Sequence, residues 1–436
     1  MRLIDWNSLD AEGRRNALAR PPRRSDAAVG DVVREIFDDV QARGAAAVSD
    51  WSRKLDGYAP RRIAVTADAV AAARRALPPS ATHAIRIASE NVRIFHQATR
   101  PEDSAFIETT PGVLSQLAWR PIRSAGLYVP GGTAPLFSSL LMLAIPAQVA
   151  GVGRRIAVTP PSGDGEPHPA MIVAADEAGL EELWLLGGAQ AIAALTFGAA
   201  FDDGEIQPVD KLFGPGNAWV AEAKKQAAAL PGGPAVDMPA GPSELLIIAD
   251  RDADPVLAAA DLLSQAEHDT DAQVLLVSES RANLEAILAE VTLQLHGLPR
   301  ADIARLSLAE GRAILVESAA QACEVANLYG PEHLAIQTED AGELVALISA
   351  AGAVFVGANA AETLGDYAAG PSHVLPTDGA ARTLGGVTTA SFMTSMTIQM
   401  ASEAGARQLA PVAARLARLE GLEAHARAAD LRADQG

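Results

Sequence analysis

Two polar side chains near the end of a predicted helix could form half of a metal site. Gln265 and His268 stand three residues apart in Leu-Leu-Ser-Gln-Ala-Glu-His, so a helix would present both on one face. An amide oxygen and an imidazole side by side can ligate zinc. Further ligands and bases could come from polar segments far downstream, namely His333, Asp366, His373 and His425. Together these residue types predict a metal-assisted active site, although a polar pair at a helix end is more often simply solvated.

The adjacent pair Glu332-His333 offers two proton acceptors. Pro331 ends the preceding helix, so we expect the pair between helix and strand at a sheet edge, where active sites form. Histidine titrates near neutrality and suits removal of an alcohol proton, whereas glutamate can activate water. The spacing leaves plainer roles open: the pair could be solvated, Asp366 could be a turn residue, and His425 could lie on an amphipathic helix face.

The composition excludes some classes of partner and leaves others open. With 436 residues, 49% of them hydrophobic, the chain is long enough for roughly two to four domains with large cores. A net charge of −19, and no marked Lys/Arg cluster beyond 14–24, argue against a nucleic-acid partner. The same charge selects nothing among small ligands.

Cysteine content and apolar runs predict a cytoplasmic protein. The single cysteine, Cys323, forbids an internal disulfide and fits a reducing compartment, and its alanine-rich helical neighbours predict a small core residue. The N-terminus lacks the apolar region of a signal peptide. The longest apolar run, 140–152, contains Pro146 and Gln148 and is too short to span a bilayer. We therefore expect no membrane association.

Hydrophobic periodicity predicts an α/β fold with two Rossmann-like parallel-sheet domains and a small helical C-terminal tail region. Helical stretches at 31–43, 67–77 and 82–98 come first, and Ser25 is a candidate cap for the first of them. Helix-length segments then alternate with short apolar runs, in two groups of four or five predicted strands. The predicted strands are 126–129, 155–159, 182–186, 209–213, 244–249, 273–277, 313–316, 334–337 and 353–356.

We assign four parts to the chain from these patterns. Residues 1–24 form an N-terminal arm, 25–124 and 243–384 a first α/β domain that carries the N-terminal helices, 125–242 a second Rossmann-like α/β domain, and 385–436 a helical tail and dimerisation region. Strands are expected to stop after Leu384.

Three glycine-rich loops follow predicted strands and precede predicted helices, at 126–132, 187–190 and 214–217. The dinucleotide fingerprint Gly-x-Gly-x-x-Gly is absent from the chain. Even so, the N–H groups of a helix N-terminus behind such a loop can face a phosphate. Each loop taken singly is more often a tight turn or a cap, and Asn217 is well suited to cap its helix. Three such loops in one sheet favour a nucleotide ligand.

Eight motifs in order make the chain resemble the histidinol dehydrogenase family, from roughly residue 25 to His425. They are Gly-Leu-Tyr-Val-Pro-Gly-Gly, Gly-Gly-Ala-Gln-Ala-Ile-Ala-Ala-Leu, Gly-Pro-Gly-Asn, Asp-Met-Pro-Ala-Gly-Pro-Ser-Glu, Leu-Leu-Ser-Gln-Ala-Glu-His, Tyr-Gly-Pro-Glu-His-Leu, Gly-Asp-Tyr-Ala and Ser-His-Val-Leu-Pro-Thr. The resemblance implies an enzyme with one zinc ion per subunit that uses two NAD+ to convert L-histidinol, through L-histidinaldehyde, to L-histidine. These are the last two steps of histidine biosynthesis.

The resemblance also implies a role for particular residues. Glu332 and His333 would carry the proton chemistry. The implied zinc ligands are Gln265, His268, Asp366 and His425. The implied substrate contacts are Ser243, Gln265, His268, His333, Asp366, His373, Glu420 and His425. The implied NAD contacts are Tyr128, Gln190 and Asn217. The family likeness further implies a homodimer whose tail reaches the partner's site, so that Glu420 and His425 would act in trans.

The chain departs from the family pattern at one place, and two other readings stay open. Thr394-Ser395 stands where relatives commonly carry a Lys-Arg pair, which puts local tail or dimer contacts in doubt. A paralogue with the same scaffold would oxidise another primary alcohol, such as a sulfonated propanediol. A catalytically inactive metal-binding or scaffold protein is the third reading.

Overall fold

The computed structural model describes residues 1–21, 27–131, 135–163, 165–238 and 241–433 of the chain. The strands are β1 (Arg2–Asp5), β2 (Arg61–Ile63), β3 (Ile107–Thr110), β4 (Val113–Pro121), β5 (Ser124–Tyr128), β6 (Arg154–Thr159), β7 (Glu182–Leu185), β8 (Ala199–Phe201), β9 (Gly204–Ile206), β10 (Lys211–Phe213), β11 (Ala235–Val236), β12 (Glu244–Ala249), β13 (Gln273–Ser278), β14 (Arg312–Leu315), β15 (His333–Gln337), β16 (Ala353–Val356) and β17 (Met393–Ala401). The helices are α1 (Ala11–Leu18), α2 (Ala27–Arg43), α3 (Ala45–Leu55), α4 (Ala67–Ala76), α5 (Pro79–Ala98), α6 (Phe137–Ala150), α7 (Pro169–Glu177), α8 (Gly188–Phe197), α9 (Ala218–Ala229), α10 (Pro255–Ala266), α11 (Arg281–Leu295), α12 (Ala301–Glu310), α13 (Ala319–Tyr329), α14 (Ala341–Leu344), α15 (Glu362–Tyr367), α16 (Glu403–Leu419) and α17 (Glu423–Ala433). Among these helices, none has both the length and the apolar character that crossing a membrane requires.

Two six-stranded sheets form the centre of the fold. The β12 sheet has the order β1-β14-β13-β12-β15-β16, and the β5 sheet has the order β11-β10-β5-β6-β7-β2. Every pairing in them is parallel except that of β2 with β7. Each of the nine predicted strands is present within two residues of its predicted bounds. The predicted α/β class with two parallel-sheet units is therefore confirmed.

Both faces of the β12 sheet are buried, which explains its almost continuous apolar strands. Along β12, Leu246 and Ile248 pack into one core with helix α13, while Leu245 and Ile247 pack into the opposite core with helix α10. Successive side chains of a strand point to opposite faces, so a strand covered on both sides needs apolar residues at every position. The β5 sheet has the same arrangement, with one core on each face.

The N-terminal segment differs from the predicted arm. Arg2–Asp5 is an edge strand that pairs in parallel with Arg312–Leu315, and the following Trp6 is almost completely buried at 2% exposure. Helix α1 then begins at the cap Asp10. A strand of four residues with two apolar side chains carries too short a pattern to be distinguished from an arm, which explains the error. Ser25, the predicted helix cap, lies outside the described residues.

The N-terminal helices pack on the β5 sheet, which differs from their predicted assignment to the unit of 243–384. Helices α2 and α3 contact α8, and α4 and α5 contact α7. Strand β2 joins the edge of the same sheet, and the rings of Phe37 and Phe197 meet edge to face at 5.7 Å. An apolar helix stripe shows that a helix is covered on one side, but not which sheet covers it.

A long strand follows Leu384, so the prediction that strands stop there was wrong. Strand β17 pairs antiparallel with β4, which pairs with β3, in a separate three-stranded sheet. Most of its side chains are exposed in the single chain, and therefore no alternation of buried and exposed residues marks it as a strand. The helices predicted beyond it are present as α16 and α17, which pack against each other.

Candidate active site

The predicted base pair lies at the amino ends of two neighbouring central strands. His333 begins β15, Glu332 precedes it, and Glu244 begins the adjacent strand β12. Parallel α/β sheets more often place sites at the carboxyl ends of their strands. In this sheet, helices α10 and α13 lead into the amino ends of β13 and β15, and the short helix α15 contacts α10. The pair is therefore enclosed by helix ends and not at a solvated sheet edge.

His333 stands among three carboxylates and one carbonyl. Its Nδ1 lies 3.2 Å from the backbone oxygen of Glu244 and 3.6 Å from carboxylate oxygens of both Glu332 and Glu362. Its Nε2 lies 3.4 Å from Oδ1 of Asp366. His333, Glu332 and Glu362 are buried, and the Asp366 side chain is 14% exposed. Asp366 is therefore the member of the cluster that is nearest to solvent.

The enclosure changes the protonation behaviour of the cluster. Burial by itself disfavours a charged imidazole, but the surrounding carboxylates outweigh it and raise the pKa of His333. Burial also raises the pKa of Glu332 and of Glu362, against the opposing effect of the His333 charge. For Asp366, the His333 hydrogen bond and nearby imidazoles outweigh burial and lower the pKa. Such perturbed acids and bases are typical of active sites.

Several donor atoms in this region fit a metal ion. His333, Glu362 and Asp366 offer ligand atoms that all lie within 4.8 Å of one another. Gln265 has no exposed surface, and within the described part of the chain neither of its amide atoms has a hydrogen-bond partner. Buried polar atoms without partners are costly, so their presence indicates a ligand. Amide oxygen, imidazole and carboxylate together match the donors that zinc accepts.

The predicted zinc ligands are only partly brought together within one chain. Gln265 lies near the end of α10, whose Ser264 hydroxyl is 3.4 Å from the hydroxyl of Thr363 on α15. His268 follows α10 and is exposed in the single chain, although nearby protein atoms lower its pKa by desolvation, with the Asp366 charge opposing. His425 is exposed on α17. Within one chain, the tail histidine is therefore not packed in the buried cluster.

The predicted substrate contacts divide in the same way. Both imidazole nitrogens of His373 have partners, since Nδ1 lies 2.7 Å from the Asp366 carbonyl and Nε2 lies 3.0 Å from the Ser139 hydroxyl. Ser243 is half-buried directly before β12 and therefore beside the cluster. Glu420, like His425, is exposed on the tail. His373 and Ser243 thus border the cluster, whereas the tail residues face solvent.

The glycine loop 214–217 lies where a parallel sheet can bind a nucleotide. The chain order β5, β6, β7 runs one way across the sheet while β10 lies on the other side of β5, and this reversal opens a crevice at the carboxyl ends. Gly214 has φ +117°, and a Cβ there would lie 2.0 Å from the Tyr128 carbonyl oxygen, so only glycine fits. The Lys224 ammonium donates to the Gly214 carbonyl at 2.9 Å, and the backbone N–H of Gly214 donates to the Asp237 carboxylate at 2.7 Å.

The three predicted NAD contacts are all close to these loops, but they differ in exposure. The Tyr128 hydroxyl is buried and accepts the N–H of Gly188 at 3.2 Å. Gln190 has no exposed surface, and its amide donates to Asp56 at 2.9 Å. Asn217 is exposed, and its side chain accepts two backbone N–H groups of α9, which confirms that it caps this helix.

Sequence reasoning missed Glu362, Glu244 and Arg20. Glu362 stands four residues before Asp366 on one helix, so that spacing could have placed both on the same face. Glu244 is fully buried and forms a bidentate pair with Arg20, 224 residues away in sequence. No local pattern connects positions so distant, so only the folded structure shows that pair.

The two helix-covered parallel sheets, with a buried histidine among carboxylates at the strand ends, define an α/β enzyme. A sequence profile of histidinol dehydrogenases matches residues 19–433. The chain is 45% identical over 432 residues to histidinol dehydrogenase of Xanthomonas euvesicatoria, covering 99% of each protein. It is 43% identical over 434 residues to that of Colwellia psychrerythraea, covering 100% of this chain and 99% of the relative. The crystal structure of histidinol dehydrogenase from Elizabethkingia anophelis matches with a TM-score of 0.92 and 37% identity, covering 99% of this chain and 97% of that one. The chain belongs to the histidinol dehydrogenase family, whose members are oxidoreductases.

Proposed function

We propose that the protein oxidises L-histidinol through L-histidinaldehyde to L-histidine, with NAD+ as oxidant and zinc as metal. The observation that carries this proposal is the buried His333. Its Nε2 faces the Asp366 carboxylate, and its Nδ1 faces the Glu244 carbonyl and the carboxylates of Glu332 and Glu362. Family membership supplies the substrate, and the cluster supplies the acid–base groups that an alcohol oxidation needs. These two oxidations would complete histidine biosynthesis.

Zinc would be held by Gln265, His268 and Asp366, with His425 supplied by the tail of the second subunit. The orphaned Gln265 amide supports this assignment, because it is the one buried side chain of the set whose polar atoms have no partner in the described structure. When bound, the ion would fix the substrate's nitrogen and oxygen donors and so align its carbinol carbon. Ser243, His373 and Glu420 would border the bound substrate.

His333 would act as the base in the alcohol step. The Glu244 carbonyl accepts a hydrogen bond from Nδ1, so Nε2, which faces Asp366, would be the nitrogen that accepts the hydroxyl proton once zinc holds the Asp366 carboxylate. Glu332 would take a proton from the water that adds to the aldehyde, because its raised pKa suits a group that both accepts and returns protons near neutrality. The buried cluster would keep the reactive aldehyde from escaping.

The NAD site would lie at the crevice beside β5 and β10. Asn217 is exposed at the N-terminus of α9 and could contact the cofactor directly. Tyr128 and Gln190 are buried, so in this conformation they would act mainly by supporting the loop before α8. The fixed glycine loop at Gly214 allows close approach of a pyrophosphate to the backbone.

A homodimer would complete the site through the tail. Large apolar side chains are exposed on β17, on α16 and directly after it, and a partner subunit would cover them. They are Met396, Met400, Val412, Leu416, Leu419 and Leu422. Mixing inactive His333→Asn and His425→Asn subunits tests action in trans, because random reassortment would restore about a quarter of wild-type activity. No recovery after subunit exchange would place His425 in its own subunit's site or outside both.

Activity on a panel of primary alcohols tests the substrate assignment. Zinc-loaded protein should reduce NAD+ with histidinol far faster than with a sulfonated propanediol or simple aliphatic alcohols. The reverse preference would indicate a paralogous dehydrogenase, and a metal-loaded protein silent on every alcohol would indicate an inactive relative. A cytoplasmic location is part of the proposal and is consistent with a single, buried cysteine. The acidic charge likewise supports a small-molecule substrate over nucleic acid.

A further inference from the structure

Arg20 connects the N-terminal segment to the centre of the β12 sheet. Its guanidinium makes a bidentate pair with the carboxylate of Glu244, with Nη2 2.7 Å from Oε2. The same Nη2 lies 3.1 Å from the Tyr329 carbonyl and 3.4 Å from that of Gly330. Its Cζ stands 3.9 Å from the centroid of the Tyr329 ring. One arginine thus holds both the start of β12 and the end of α13, which lies three residues before Glu332.

Glu244 carries this connection to the base pair through its backbone. Its N–H donates to Oε2 of Glu332 at 2.8 Å, and its carbonyl accepts from Nδ1 of His333 at 3.2 Å. The Glu244 side chain has no exposed surface, so its carboxylate needs a partner, and Arg20 is the cation that pairs with it. A peptide unit fixed by a buried ion pair is a rigid support for two side chains.

The support also fixes one ring nitrogen as a donor. A carbonyl oxygen can only accept a hydrogen bond, so Nδ1 of His333 carries a proton while this contact is kept, and Nε2 is left on the side of Asp366. If Glu244 moved, Nδ1 would lose this partner and Glu332 would lose its only backbone donor in the described structure. Both groups would then sample orientations away from the substrate.

We propose that Arg20 is a positioning residue for the Glu332-His333 pair, acting through Glu244. The inference rests on the proposed oxidation for its kinetic readout, but its structural readout does not depend on turnover. It gives the N-terminal segment, otherwise an edge strand and one helix, a direct effect on the proton-transfer groups.

Arg20→Met tests the positioning role, with Arg14→Met as the matched control. Arg14 lies in the same segment, is similarly half-buried and has its Cζ 5.2 Å from the Trp6 ring centroid, but no carboxylate pairs with it in the described structure. Small misplacements of a base cost about a hundredfold in rate. We therefore expect kcat with histidinol to fall about a hundredfold in Arg20→Met, with KM and zinc content within about twofold, and Arg20→Lys to recover part of the loss.

A double variant separates positioning from charge balance. Arg20→Met with Glu244→Gln removes both members of the pair, so the melting temperature should recover while kcat stays low. Recovery of kcat together with stability would overturn the proposal, because the pair would then serve the fold alone. A kcat of Arg20→Met equal to that of Arg14→Met would also overturn it.

Imidazole ¹⁵N spectra provide the readout that is independent of turnover. In zinc-loaded wild-type protein the His333 signal, assigned by its loss in His333→Asn, should show a proton on Nδ1, and Arg20→Met should shift it towards mixed tautomers. An unchanged His333 signal in Arg20→Met would contradict the positioning role. If wild-type protein fails to oxidise histidinol but the tautomer still shifts, the proposed function fails and the positioning role stands.

Discussion

Replacing Gln265 with leucine should stabilise the metal-free protein while abolishing zinc binding. Gln265 is completely buried, and both of its amide atoms lack partners in the described structure. Each unsatisfied buried polar group costs about 1–3 kcal/mol, and leucine of similar volume carries no such group. Gln265→Leu should therefore gain about 1–3 kcal/mol in the free energy of unfolding after chelation. Urea unfolding of chelator-treated protein measures this gain, and elemental analysis measures zinc.

Gln190→Leu is the matched control for that experiment. Gln190 is the same residue type with the same zero exposure, but its Nε2 donates to Asp56 at 2.9 Å, so only its Oε1 lacks a partner in the described structure. Its replacement should lower the free energy of unfolding relative to Gln265→Leu by about 1–3 kcal/mol, because the half-buried Asp56 carboxylate loses a donor. If Gln265→Leu destabilised the metal-free protein as much as Gln190→Leu, or if it kept its zinc, the ligand role of Gln265 would be refuted.

Four further substitutions give distinct signals. His333→Asn should slow both oxidation steps whereas Glu332→Gln should slow mainly the aldehyde step, which needs an activated water; equal losses in both half-reactions would contradict this division. Burial raises the pKa of Asp261 from 3.8 to about 6, so the folded protein binds this proton more tightly than the unfolded chain. The free energy of unfolding of the wild-type protein, relative to that of Asp261→Asn, should fall by at most about 3 kcal/mol as the pH rises from about 4 to about 6, and then stay constant. Parallel pH curves of the two proteins would argue against a buried acid. Lys224→Met leaves Asp237 buried without its cation and should cost about 3–5 kcal/mol in chemical unfolding, so a loss below 1 kcal/mol would show that the pair is solvated.

The sequence predicted the sheets well because both faces of each sheet are buried. Strand Glu244–Ala249, for example, is a short apolar run between breakers, is buried at every position and has the predicted bounds. Strand β17 was missed because its side chains are mostly exposed in one chain, so no burial pattern marks it. The sheet that covers helices 27–98 could not be predicted either, since an amphipathic stripe does not identify its partner.

The candidate site was predictable as far as local motifs extend. Glu332, His333 and Asp366 do meet, and their segments were conspicuous as polar residues beside breakers. Arg20 and Glu244 were not predictable, because their contact joins positions far apart in sequence and depends on the docking of the N-terminal strand. Tail residues such as His425 lie outside the buried cluster of one chain, so their role depends on a second subunit.

The stoichiometry of the complete reaction tests the central claim most directly. Zinc-loaded protein with limiting histidinol and excess NAD+ should yield two NADH and one histidine for each histidinol, without aldehyde in solution. That result requires one enclosed site with a base for the alcohol and an activated water for the aldehyde. One NADH per histidinol with accumulating aldehyde, or no NADH at all, would contradict the account.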